Sequence, residues 1–158
     1  MPSTESRFAA VAGLDGLRSR RPELGTAVDA YHALLSTVVD PAVVSLCRLR
    51  MAQIASGVDA AVEATPALQE AGVTDGQRRD LAVWRHSDEF DAMQQTCLEY
   101  AEQFYLSAES VTDDHVARVR DHLSAEQTLG LTMALWLSDS STRLSNFVDS
   151  LGAKPVSP

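Results

Sequence analysis

Arg48-Leu49-Arg50-Met51-Ala52-Gln53-Ile54-Ala55-Ser56-Gly57-Val58-Asp59-Ala60-Ala61-Val62-Glu63-Ala64 is the stretch whose reading decides the fold. Asp40-Pro41 stands upstream of it, with Asp40 placed to cap a helix and Pro41 suited to the first helical position, where its missing N–H is no loss. Downstream, Thr65-Pro66 breaks the run, because a residue before proline is pushed out of helical geometry. The punctuation predicts a helix from Pro41 to Ala64. Gly57 then lies inside it, where glycine costs about 1 kcal/mol relative to alanine.

Working outward, the pattern stays helical. Leu24, Ala27, Val28, Tyr31, Leu34, Leu35 and Val38 recur at three- and four-residue spacings after Pro22, which predicts an amphipathic helix closing near Val39. Thr74 with Gln77 and Ser124 with Gln127 form capping-box pairs, and Thr112 followed by Asp113 and Asp114 marks a third start. Helices are expected over about 75–85, 88–106, 113–123 and 125–151, the last ended by Gly152. No segment alternates like a strand over six residues. The fold class is therefore all-α, a single-domain bundle of about six helices spanning 22–152. It is flanked by a flexible segment 1–21 and a disordered tail 153–158.

The 158 residues suffice for one core without disulfide or metal staples. A net charge of −9 disfavours nucleic acid and anionic membrane surfaces, which are bound by clustered basic side chains. All thirteen basic residues but Lys154 are arginine, which reads most simply as codon preference. The N-terminus has no basic segment leading into an apolar run, and the longest apolar-rich run, Leu129–Leu137, is too short to span a bilayer. The expected location is the cytoplasm. There, Cys47 and Cys97, fifty residues apart, read as buried thiols.

Several segments resemble the carboxymuconolactone decarboxylase family in its alkylhydroperoxidase D-like branch. The Leu49-Arg50-Met51-Ala52-Gln53-Ile54 frame is similar to that branch's motif helix, and Asp40-Pro41-Ala42-Val43-Val44 to the turn before it. Leu81-Ala82-Val83-Trp84-Arg85, Leu98-Glu99-Tyr100-Ala101-Glu102, Val111-Thr112-Asp113 and the long last helix with Arg143 follow in the family's order. The resemblance implies an all-helical fold, assembly into dimers, trimers or hexamers, and thiol-based peroxide reduction where a Cys-x-x-Cys-x-x-x-His motif and an upstream Glu are present. Aligned without a gap, those four places fall on Gly57, Ala60, Ala64 and Ser45, none of which supplies the required group. The thiolate that such chemistry needs is missing.

Other residues are weighed on their own. His115 and His122, with Asp114 and Asp121, share a helical face at seven-residue spacing, too wide for one metal ion, and read as a solvated face. No metal or other cofactor is expected. Glu102 reads as a helix carboxylate paired with an arginine. Asp139 and Arg143 favour an intrahelical pair within Ser138-Asp139-Ser140-Ser141-Thr142, a polar run that would line a wet pocket if it faced inward.

Two functions follow as expectations. The first is a redox-inactive homo-oligomer that acts as a binding or structural protein, with a small molecule as candidate ligand. The second is an enzyme using non-thiol acid/base chemistry on a small acidic or lactone-like substrate, with Glu102, His86 and Arg48 as candidate catalytic residues and Arg143 beside them.

Overall fold

The computed structural model describes residues 21–57, 59 and 62–152. Segments 1–20 and 153–158, where a flexible start and a disordered tail are expected, lie outside these residues, as does Ala60. Seven α-helices and no strand occur among the described residues: α1 Pro22–Val38, α2 Pro41–Ser56, α3 Pro66–Glu70, α4 Asp75–Asp80, α5 Ala92–Leu106, α6 Asp113–Arg120 and α7 Ala125–Gly152. A 3₁₀ segment, Leu81–His86, continues α4, and a 3₁₀ turn, Ala108–Ser110, follows α5. The chain is an all-α single-domain bundle. None of these helices is long and apolar enough to cross a membrane.

Helix α2 is the hub. It packs against α5 and α7, while α1 lies along α7 and α6 against α5. Val43, Leu46, Cys47, Leu81, Leu98, Val119, Leu131 and Leu135 are almost wholly removed from water. That burial, at roughly 1.5–3 kcal/mol for each large aliphatic side chain, is the main favourable term. Gly130 lets α7 approach closely, since a Cβ there would stand 3.0 Å from Val38 Cγ1 and from Val39 Cγ2.

Helix starts follow local chemistry. Asp40 accepts from the Ala42 N–H with Pro41 at the first position. Thr74 and Gln77 close a reciprocal box, as do Ser124 and Gln127. A further box, Asp91 with Gln94, starts α5 at Ala92, later than the expected start at 88. Gln77 Nε2 also donates to Gln94 Oε1, so two capping boxes brace each other through a buried amide.

The largest departure from expectation is at the end of α2. It stops at Ser56, well short of Ala64, and Gly57 is its C-terminal cap at φ +65°, ψ 21°, with its N–H on the Gln53 and Ile54 carbonyls. Glycine is the residue that enters left-handed geometry without a Cβ penalty. Pro66 begins the short helix α3, with Thr65 as its cap, and does not merely end the preceding one. The expected helix over 75–85 is likewise split, because Val83, at φ −115°, interrupts helical geometry within the 3₁₀ segment. Helix α6 ends at Arg120, not near Leu123.

Nothing lies within 4 Å of a Cβ built on Gly57, so a side chain there meets only the conformational penalty. Gly57→Ala should therefore destabilise the fold by about 1–2 kcal/mol in urea unfolding. A gain of about 1 kcal/mol would instead restore the continuous helix.

Candidate functional site

Two neighbouring arrangements grow out of α2. The first is an ion-pair knot around Glu102, a residue of α5 that is 7% exposed. Glu102 Oε1 accepts from Arg50 Nε at 2.6 Å and from Trp84 Nε1 at 3.0 Å, and Arg85 pairs with Oε2 at 2.5 Å. The Arg85 guanidinium also lies over the Trp84 ring, 4.2 Å from its centre. Arg50 extends the network to Gln53 Oε1 at 3.0 Å and to Asp59 Oδ1 at 2.7 Å, beyond the Gly57 cap. Burial alone would raise the Glu102 pKa, but hydrogen bonds from Arg50, Trp84 and Arg85 outweigh it and hold the carboxyl below its usual range. A carboxylate so held is a poor general base near neutral pH.

The second arrangement is a groove of about 540 Å³ between α2, the segment from Val62 to Leu68, and α7. Ser45, Arg48, Leu49 and Ala52 line it from α2, a three- and four-residue spacing that presents one helix face. Ser138 and Thr142 line it from α7, so part of the polar run does face this space. Asp139 and Arg143 do not line it. They form an intrahelical pair at 2.8 and 2.9 Å, and Arg143 lies 5.8 Å from the Tyr105 ring centre.

Arg48 differs from its neighbours. Arg50, Arg78, Arg85, Arg118 and Arg143 each meet a carboxylate, whereas Arg48 meets none among the described residues. Arg48 is nevertheless an exposed residue, and only partial desolvation, with no anion to offset it, lowers its pKa.

Of the motif places among the described residues, only Ser45 lines the groove. Ser45 lines it, Gly57 caps α2, and Ala64 is exposed in the non-helical stretch that follows. Cys47 and Cys97 are both fully buried. Burial pushes the Cys47 thiol well up, with Cys97 adding to it, and pushes Cys97 up to about 12, with Asp91 adding to it. Both stay protonated, the unreactive form.

His86 is exposed at the end of the 3₁₀ segment and does not join Glu102. His115 caps α6, its Nδ1 accepting from the Thr112 N–H at 3.1 Å, while Asp121 and His122 lie past the end of that helix. No group of three or more His, Cys, Asp or Glu side chains among the described residues is arranged to hold a metal ion. Trp84 and Asp59 are members of the knot whose roles the sequence left unmarked.

No protein-family model matches the chain, and no curated protein matches it well enough to count as a relative.

Glu102→Gln would leave Arg50 and Arg85 without their shared anion, and should cost about 3 kcal/mol at pH 7. The folded state binds this proton less tightly than the unfolded chain does. The Glu102 contribution is therefore complete above the ordinary value of 4.5 and is lost as pH falls through the lower folded value. Denaturation across pH 2–7 should show a steep acid limb in the wild type that flattens in the variant. Equal stabilities at pH 7 would contradict this assignment.

Proposed function

We propose that this chain is a redox-inactive, helical homo-oligomeric binding protein of the alkylhydroperoxidase D-like type. The family resemblance rests on the motif frame and segment order, and the all-α architecture is compatible with it. The absence of thiol chemistry is supported by two buried, protonated cysteines and by the residues at the motif positions. Acid/base catalysis gains no comparable support, because Glu102 is locked in ion pairs and His86 stands apart from it.

The observation that carries the proposal is an outward apolar seam. Leu24, Val28 and Tyr31 of α1 face Met133, Trp136 and Leu144 of α7 across an open groove of about 590 Å³. Along α7 the surface positions Leu129, Met133, Trp136, Ser140 and Leu144 follow one another at spacings of four, three, four and four, the row that a partner helix covers. Trp136 is 57% exposed and Leu129 62%. With large side chains presenting on the order of 200 Å² each, the seam offers roughly 500 Å² of apolar surface, against ~800 Å² per partner in a standard interface.

The occupant is a second copy of the chain. Between Glu126 and Asp149 the only charges on α7 are Asp139 and Arg143, which pair with each other. On the α7 side, two molecules of charge −9 can therefore meet without repulsion. A partner recognised by charge would gain nothing from this face.

Sedimentation equilibrium of the full chain should give an oligomer, and dilution should shift Trp136 emission to the red. Trp136→Glu should give a folded monomer, while Leu106→Glu, an exposed site on α5, should leave assembly intact. A monomeric wild type at 100 μM, about the concentration at which a weak interface of this size should fill, would overturn self-association at the seam. So would an assembly indifferent to Trp136→Glu. In the first case the seam is left to residues 1–20 or to another protein. Peroxide reduction with dithiol reductants should stay at background, and turnover abolished by Cys47→Ser would contradict the redox-inactive assignment.

A further inference from the structure

The geometry points to the α2–α7 groove as a binding site for a small monocarboxylate with an apolar body, its carboxylate on Arg48 and its hydrocarbon part against Leu49, Val62 and Leu68. This rests on the binding role proposed above and names its ligand class.

The argument begins with what the site lacks. Arg48 is an exposed guanidinium on the groove wall with no carboxylate partner among the described residues, so its fork of donors is open to a planar two-oxygen group. By contrast, Arg50 of α2 and Arg85 of the 3₁₀ segment share Glu102 as their anion. Ser45 and Ser138 line the same groove with hydroxyls that make no hydrogen bond among the described residues, so each can serve the same anion. Thr142 donates its own hydroxyl hydrogen to the Ser138 carbonyl and offers only an acceptor. At about 540 Å³ the groove is within the range of small-molecule sites, which combine apolar walls with a few converging polar groups.

Glu63 sets the limit on ligand charge. It is an exposed residue that lines the same groove and forms no ion pair with Arg48, so the groove wall carries an unneutralised negative charge. One carboxylate can be held at Arg48, whereas a second finds no further cation on the groove wall and meets the charge of Glu63 instead. The site should thus prefer a monoanion to a dianion of equal length.

Calorimetric titration of the full chain with octanoate, octanol, octylamine and suberate separates the components. Octanoate should bind, octanol should bind at least about ten-fold more weakly, and octylamine and suberate should be weaker still, because a charge-assisted pair is worth more than a neutral one. Arg48→Gln should weaken octanoate about ten-fold and leave octanol unchanged. Arg48→Lys should fall between, since it keeps the charge and loses the fork. Glu63→Gln should let suberate bind. Circular dichroism and sedimentation of each variant show whether fold and assembly persist.

Equal binding of octanoate and octanol, or octanoate binding indifferent to Arg48→Gln, would overturn the inference. So would no binding of octanoate by an intact oligomer, and in that case the assembly remains standing while the ligand assignment falls.

Discussion

The Glu102 carboxylate is the point on which the structure turns. It receives Arg50 from α2, and Trp84 and Arg85 from the 3₁₀ segment, while itself belonging to α5. Three pieces of chain far apart in sequence are thereby fixed by one buried anion. A lone carboxylate in this position would be costly, and two arginines with an indole N–H satisfy it. Arg50 then passes the constraint on to Asp59. The segment leaving α2 is tied back to the core just after Gly57 releases it from helical geometry.

This knot sorts the faces of α2. One face, with Val43, Leu46 and Cys47, is sealed in the core, and Arg50 and Gln53 project into the knot. The remaining face, with Ser45, Arg48 and Ala52, opens on the groove. A thiol on the sealed face is shielded from oxidants and kept protonated by desolvation, while the accessible face carries hydroxyls and a cation. The accessible surface of α2 therefore presents a cation and no nucleophilic sulfur.

Much of the fold was legible in the sequence, because helix starts are written in short-range chemistry. Asp40-Pro41, Thr74 with Gln77, and Ser124 with Gln127 each name their own helix. Asp91 with Gln94 is an equally short-range signal, and it places the helix cap three residues beyond Asp88. The end of α2 was not legible, since a glycine in a helical pattern serves equally well inside the helix or as its left-handed cap, and only φ separates the two. Spacing does not reveal the 3₁₀ segment, from which Trp84 and Arg85 both reach Glu102. That Glu102 pairs with arginine followed from burial economics. Which arginines depended on contacts 52 and 17 residues away along the chain. Ser138 and Thr142 could be suspected of lining a pocket, but their meeting with Ser45 and Arg48 needed the packing of α7 on α2.

The central claim is that the Glu102 knot is part of the cooperative core and is no adjustable catalytic centre. Hydrogen exchange of the Trp84 indole N–H, followed by NMR, tests it most directly, because that proton is donated to Glu102 itself. The account predicts exchange only through global unfolding, with a protection free energy equal to that of the slowest core amides of α5. Exchange through a local opening, several orders of magnitude faster than those amides, would show that the knot opens on its own and would contradict the account.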